Sequence, residues 1–566
     1  MAANLSAAQA FAAALARHGA TCVFGQSIPS LIHLAGPEFG IRQIGYRTEN
    51  AGAIMADGFA RVARRPGVVT AQNGPAATLL VAGLAEALAA SVPVVALVQD
   101  VARPWLDRNA FQELDHLELF KGCAKWVRRI NTADRIDDYV DMAFTAASTG
   151  RPGPAVLLCP YDLIGEKSVQ RTPRRAEIGG YPLDRTVADP ARIERVADLL
   201  AGAERPLIIA GGGVHLSDAC AELARLQETA CLAVATTTMG KGAVDERHAL
   251  SVGVIGYFMG PGGMARHQRA LIDQSDLVFL IGTRTNQNGT DSWTLFPRTA
   301  RYVHLDLDGL EVGRNYDSER LVGDAKLTLA ALNEALSRRD LGKRLAARPA
   351  LEARIAKGRK AHEAEARPLL ASTARPIRPE RLMGELGRVI DENSILVADA
   401  SYSSIWVANY LTSLAPGMRF ITPRGIAGIG WGLPLALGAK LAAPEREVFV
   451  LVGDGGFAHV WSELETARRH GLKVMLTVLN NQHLGYQKHA EDALFGAHTT
   501  AVDFAPVDHA AIARACGLHG VRVEDPADYA EALAKSRRAD RTTLIDVITA
   551  PEAYPPITMF EGRLPY

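Results

Sequence analysis

Short runs of β-branched and aliphatic residues alternate with longer Ala- and Leu-rich stretches along the chain. Examples are GVVTA at 67–71, PLIIA at 206–210, DLVFLI at 276–281, RYVHLDLD at 301–308, SILVA at 394–398, EVFVLV at 447–452 and VMLTVL at 474–479. Strand-length apolar runs separated by helix-length segments are the pattern of parallel sheets covered by helices on both faces. The expected fold class is therefore α/β, with doubly wound parallel-sheet domains.

A chain of 566 residues is too long for one core, and domains of about 150 residues are the norm. Two polar stretches read as linkers. One lies around 165–190; the other, around 340–378, is a highly charged helical segment followed by the Pro-containing LLASTARPIRPE. They divide the chain into blocks of residues 1–165, 190–340 and 378–550, with a tail at 551–566. The chain carries 62 basic and 62 acidic residues. That balance creates no field for nucleic acid or an anionic membrane, so small-molecule chemistry becomes the default. Six cysteines are scattered without a CxxC pair, as expected of buried thiols in a reducing compartment. The Ala-rich N-terminus lacks the basic region and cleavage site of a signal peptide, and no run is long enough to span a bilayer. The expectation is a cytoplasmic enzyme.

In open parallel sheets, ligands sit beyond the carboxyl ends of strands, so polar turns after apolar runs are where chemistry is sought. Such turns are Gln72-Asn73-Gly74-Pro75, Asp399, Gly453-Asp454-Gly455-Gly456 and Asn480-Asn481. Residues 456–479 leave room for one crossover helix and a return strand, and a right-handed crossover brings both turns to one sheet edge. The Asp454 carboxylate, the Asn481 amide oxygen and the carbonyl of His483 form a hard-oxygen donor set suited to Mg²⁺. The neighbouring glycines let backbone approach a diphosphate. Each motif alone reads as a tight turn; their joint spacing argues for a site.

GDG followed some two dozen residues later by NN resembles the motif of thiamine-diphosphate (ThDP) enzymes, and the whole chain looks like their acetolactate synthase branch. Tyr46-Arg47-Thr48-Glu49-Asn50-Ala51 and Ala56-Asp57-Gly58-Phe59-Ala60-Arg61 resemble the family's R-H-E-x-x-A…A-x-G-Y-A-R segment. Asn73-Gly74-Pro75-Ala76-Ala77-Thr78 is similar to S-G-P-G-A-T, and Asn109-Ala110-Phe111-Gln112-Glu113 to D-A-F-Q-E. The stretch from Gly425 to Pro434 is similar to G-L-G-A-M-G-F-G-L-P, and residues 481–485 read N-Q-H-L-G. The resemblance implies three domains: pyrimidine-binding, central and diphosphate-binding. ThDP must lose a weakly acidic proton, and a buried carboxyl on its pyrimidine ring promotes the tautomer that removes it. The resemblance gives that role to Glu49. It assigns Ile429 as the wedge that bends the cofactor, with Ala427 and Ile429 holding the pyrimidine by backbone. Gly74, Pro75, Tyr402, Ser403, Gly453, Gly455, Gly456 and Gly485 are its remaining cofactor contacts, although Asp399-Ala400-Ser401-Tyr402-Ser403 departs from the family's G-Q-H. Gln112 is the candidate for orienting the bound intermediate; His116 reads either as a proton donor or as a structural hydrogen-bonder. The family's central domain binds FAD in some members and ADP in others; Gly240, Arg284, Asp306 and Asp308 fall near those segments, while Gly211-Gly212-Gly213 alone is a weak nucleotide signal. The resemblance also implies a homodimer or tetramer with sites at the subunit interface.

Departures cluster where the family handles substrate. Ala490 stands where the family has a Trp, and Pro160-Tyr161-Asp162 replaces P-K-D. Ala102-Arg103-Pro104-Trp105 replaces P-R-R-M. The substrate pocket is expected among Gln26, Phe111, Tyr161, Tyr486, His489 and Ala490. The leading expectation is a carboligase or lyase acting on a 2-keto acid. The alternative is a non-oxidative 2-keto acid decarboxylase, or an enzyme of the oxalyl-CoA decarboxylase or 2-hydroxyacyl-CoA lyase type. An inactive regulatory paralogue fits less well with Glu49, Asp454 and Asn481 occurring together.

Overall fold

The computed structural model describes residues 5–172 and 174–559. Three six-stranded sheets, all parallel, follow one another along the chain. The first runs in the order Arg42–Ile44, Cys22–Phe24, Gly67–Ala71, Val94–Asp100, Pro154–Pro160, Trp126–Arg129. The second runs Ser318–Val322, Arg301–Asp306, Leu277–Ile281, Pro206–Ala210, Ala233–Thr236, Ser251–Val254. The third runs Arg419–Ile421, Ile395–Ala398, Val448–Gly453, Met475–Asn480, Thr543–Ile548, His519–Val523. Central strands such as Gly67–Ala71 and Leu277–Ile281 are buried along their whole length, as continuous apolar runs require when helices cover both faces.

The first and third sheets share one core. A single apolar cluster runs from Phe24 and Ile44 through Leu84 to Leu433, Val450 and Leu476. At its centre, helix Glu49–Ala63 crosses helix Gly432–Ala442. A Cβ on Gly58 would lie 2.2 Å from the Leu435 carbonyl oxygen, and one on Gly438 2.0 Å from that of Met55. Only glycine lets these two backbones come so close.

Between the second and third sheets runs the charged helix Gly342–Leu370, which buries little beyond Ile355, Gly358 and Ala366. The chain then returns after Ile548, and residues 551–559 fold back onto the second domain, where Thr558 N–H donates to the Tyr257 carbonyl at 2.9 Å. The last part of the sequence-defined tail, 560–566, lies outside the described residues. Among the described residues no helix is long and apolar enough to cross a membrane, and all six cysteines are free thiols.

Candidate active site

In the third sheet the chain leaves strand Ile395–Ala398 toward one edge and returns at Val448–Gly453 on its other side. Such a switch point opens a crevice at the carboxyl ends of the two strands. One cleft there is lined by residues 399–403, Ala427, Ile429, Gly453, Asp454, Gly455, Gly456, Asn481 and residues 483–487, with Arg424 at its side. Tyr402, Ser403, His483, Gly485 and Tyr486 are thus brought together with the GDGG and NN turns. Tyr257 and Phe258 of the second domain and Ala550, Ala553 and Ile557 of the C-terminal segment complete an apolar wall.

Asp454 is buried. Its Oδ2 accepts the Gln482 N–H at 2.8 Å, and no cation lies within ion-pair distance among the described residues. Burial pushes its pKa up to about 7 against those backbone donors. A desolvated carboxylate needs a proton or a cation. Beside it, Asn481 Oδ1 accepts the His483 N–H at 3.1 Å and keeps a second lone pair. One carboxylate and one amide oxygen, both hard donors, fit Mg²⁺. Gly453 meets nothing within 4 Å where a Cβ would stand, so the backbone here is open to a close-lying anion. The donor set and the open backbone together fit a metal-bound diphosphate.

Asp399 has a different task. It is fully enclosed and accepts N–H groups of Ala400 (2.9 Å), Gly430 (2.8 Å), Trp431 (3.1 Å) and Gly432 (3.2 Å). It fastens the strand end to the start of helix Gly432–Ala442 and so sets the loop that carries Ala427 and Ile429. Ser401 (φ 67°), Ala427 (φ 63°) and Gln482 (φ 60°) occupy the left-handed region. Non-glycine residues held there cost about 1 kcal/mol or more each and concentrate at functional sites.

The N-terminal candidates form a second group. Glu49 opens its helix one residue after the cap Thr48 and is 8% exposed. Within one chain neither it nor any other described residue of the first domain lines the Asp454 cleft. Gln26, Gly74, Pro75, Phe111, Gln112 and Tyr161 lie at or near the carboxyl edge of the first sheet. Gln112 Oε1 accepts from Gln72 Nε2 at 2.9 Å, and Asn73 Nδ2 donates to the Gln112 carbonyl at 3.1 Å. Phe111 and Tyr161 stand exposed.

Two expectations change. His116, the candidate proton donor, is fully buried: Nδ1 bonds Asp100 at 3.0 Å, and Nε2 accepts the Gly74 N–H at 2.9 Å. With both nitrogens engaged it clamps the Gly74 turn and has none free to pass a proton. His489 and Ala490 also fall outside the cleft lining: Ala490 is buried on helix Gly485–Phe495, and His489 is half-buried against Tyr402. Tyr402 Oη bonds His489 Nδ1 at 2.6 Å, and Tyr554 stacks on that imidazole at 3.9 Å.

The first and third domains hold each other's functional loops. Glu463, fully buried, accepts N–H groups of Arg47 and Thr48 at 3.1 Å, directly before Glu49. Reciprocally, buried Glu86 accepts those of Gly425 (2.8 Å), Ile426 (2.7 Å) and Ala427 (3.3 Å), with Arg61 at 3.5 Å. No local pattern marks these two carboxylates, since their partners lie hundreds of residues away. Breaking a buried pair costs about 3–5 kcal/mol. Glu86→Ala is therefore expected to lower unfolding free energy by about that amount in denaturant melts; a loss under about 1 kcal/mol would contradict the clamp.

Comparison with known proteins agrees with this geometry. The chain matches the thiamine pyrophosphate enzyme N-terminal TPP binding domain over residues 5–119, the central domain over 193–332 and the C-terminal TPP binding domain over 399–547. It is 32% identical to a probable acetolactate synthase large subunit of Methanocaldococcus jannaschii, covering 99% of this chain and 94% of that one. Identity is 33% to the acetolactate synthase large subunit of Parasynechococcus marenigrum, over 96% and 87% of the two chains. For the chloroplastic acetolactate synthase of Arabidopsis thaliana it is 30%, over 94% and 80%. The cleft between the strand ends and these full-length similarities agree: the chain belongs to the thiamine-diphosphate enzyme family, in its acetolactate synthase-like branch.

Proposed function

We propose that the protein is a Mg²⁺-dependent carboligase or lyase acting on a 2-keto acid, working in the cytoplasm as a homodimer or tetramer. The observation that carries this reading is the buried Asp454 carboxylate beside Asn481, which no cationic side chain pairs among the described residues, in a cleft built on the family's switch point. When bound, ThDP supplies the electron sink that stabilises charge on the former carbonyl carbon. This chain's residues do the rest. Asp454, Asn481 and the His483 carbonyl would hold the metal, and Gly453, Gly455 and Gly456 would pass backbone along the diphosphate. Ala427 and Ile429, fixed by Glu86 and Asp399, would hold the pyrimidine. Leu479, Trp406, Ala553 and Ile557 exclude water, which strengthens electrostatic interactions inside the cleft.

Glu49 completes the site from a second subunit. Its absence from the lining of the Asp454 cleft within one chain favours that arrangement, as do exposed Phe111 and Tyr161 on the first domain. Gln112, fixed by Gln72, would then face the reacting groups. The altered pocket wall rests on Tyr486 and the C-terminal segment rather than on His489 or Ala490 directly.

A nucleotide in the second domain is a further element of this reading. Its cleft is lined by Gly212, Gly213, Arg284 and Asp306. Arg284 has no hydrogen bond or ion pair among the described residues, as suits a phosphate contact. Gly240 instead packs beneath the cleft against the Ala210 carbonyl, and Asp308 pairs with Arg151 at 3.5 Å outside it. FAD would show as flavin absorption in the purified protein, whereas ADP would not.

Product analysis with pyruvate, aromatic 2-keto acids and acyl-CoAs separates the activities. A carboligase is expected to give a product with a new C–C bond. An aldehyde and CO₂ alone would favour the decarboxylase alternative, and turnover confined to acyl-CoA substrates the oxalyl-CoA decarboxylase or 2-hydroxyacyl-CoA lyase type.

A further inference from the structure

The Asp454 cleft and the second-domain cleft meet at two side chains, Arg424 and Asn288, which line both. Arg424 follows strand Arg419–Ile421 and precedes the loop that carries Ala427 and Ile429. Its Nη2 donates to the Ser401 carbonyl at 3.2 Å and to Ser404 Oγ. The guanidinium lies over the Phe258 ring, 5.0 Å from its centroid. A guanidinium has five N–H donors. Here Nε, closed off from solvent, reaches no acceptor, and Nη1 makes no hydrogen bond among the described residues.

The neighbouring acids are committed elsewhere. Glu86 is taken by three amides and Arg61, and Asp399 by four amides. Among the described residues no carboxylate comes within ion-pair range of Arg424. Burial lowers its pKa to about 10, so it remains charged at neutral pH. A desolvated cation with spare donors on a cavity wall is a ready receptor for a carboxylate, which guanidinium binds in bidentate fashion.

We propose that Arg424 sets substrate specificity by binding a second carboxylate of the substrate, remote from the reacting carbonyl. This rests on the cofactor reading of the same cleft. A fixed cation on the carboxylate that departs as CO₂ would stabilise the ground state more than the transition state and slow the reaction. A distal carboxylate keeps its charge throughout, so binding it orients the substrate without that penalty. The carboxylate can belong to the donor or to the acceptor.

The test uses the full-length protein with Mg²⁺ and ThDP, comparing wild type, Arg424→Gln and Arg424→Lys. The donor arm compares 2-oxoglutarate with 2-oxovalerate. The acceptor arm, with pyruvate as donor, compares succinic semialdehyde with butyraldehyde. Calorimetry of ThDP binding accompanies each variant. Wild type is expected to prefer the carboxylate-bearing member of one pair by about 100-fold in kcat/KM, the scale of a desolvated charge pair. Arg424→Gln is expected to erase that preference while leaving the uncharged member and ThDP affinity within about threefold, and Arg424→Lys to restore part of it. No preference in wild type, or an equal loss on both members in Arg424→Gln, overturns the proposal. So does weakened ThDP binding in Arg424→Gln, which would make Arg424 a diphosphate ligand. Failure of wild type to bind ThDP at all would overturn the cofactor reading and this proposal together.

Discussion

Asp454→Asn is expected to move cofactor affinity and apoprotein stability in opposite directions. Removing the one carboxylate among the proposed ligands should weaken ThDP binding in Mg²⁺ by about 100-fold or more, the upper range seen for loss of groups that merely support a metal ligand. The apoprotein should meanwhile gain stability at pH 8. Burial raises the folded-state pKa of Asp454 from 3.8 to about 7. Its carboxyl therefore binds a proton more tightly folded than unfolded, and stability present at low pH is lost as pH rises through that window. Asparagine keeps the shape without the charge, so at pH 8 it should recover up to a few kcal/mol of that loss. Near pH 4 the two proteins should melt alike. Melts of metal-free protein across pH 4–8, paired with ThDP titrations, read both effects. If the variant bound ThDP as tightly as wild type, Asp454 would not be the metal ligand.

Glu49→Gln should be the most damaging substitution for turnover while sparing the fold. A positioned acid–base group contributes about 10²–10⁴-fold, and glutamine can hydrogen-bond a pyrimidine without exchanging a proton with it. The expected result is a kcat lower by that factor with ThDP affinity within a few fold of wild type. The helix itself should tolerate the change, because the Thr48 cap and the Glu463 clamp on residues 47–48 are untouched. Unchanged kcat would remove the proposed proton relay. A large loss of stability would instead mark Glu49 as structural.

What could be read from the chain was whatever repeats locally or returns at a fixed interval. Apolar runs such as 206–210 and 474–479 became buried parallel strands because period and length alone determine which segments can be covered on both faces. The GDGG and NN turns were legible because a crossover of standard length joins them. The clamps at Glu86 and Glu463 follow no such rule: each looks like an ordinary helical glutamate until the other domain supplies its amides. Arg424 sits in the Gly-rich PRGIAGIG stretch, where a charged residue was the one available signal. His116 resembled a proton donor because composition does not reveal that both its nitrogens are taken. Helical phase moved His489 and Ala490 off the cleft wall, and the return of residues 551–559 onto Tyr257 depends on tertiary packing alone. Local pattern thus located the turns at the strand ends of the cleft, while its remaining walls are built from long-range contacts.

The central claim is that the cleft at Asp454 and Asn481 takes ThDP through Mg²⁺. Isothermal titration of the metal-stripped, full-length protein with ThDP tests it directly, with and without Mg²⁺. The account predicts one ThDP per chain when Mg²⁺ is present and binding abolished by a chelator. Binding that is equally tight in the chelator, or absent in both conditions, would contradict it.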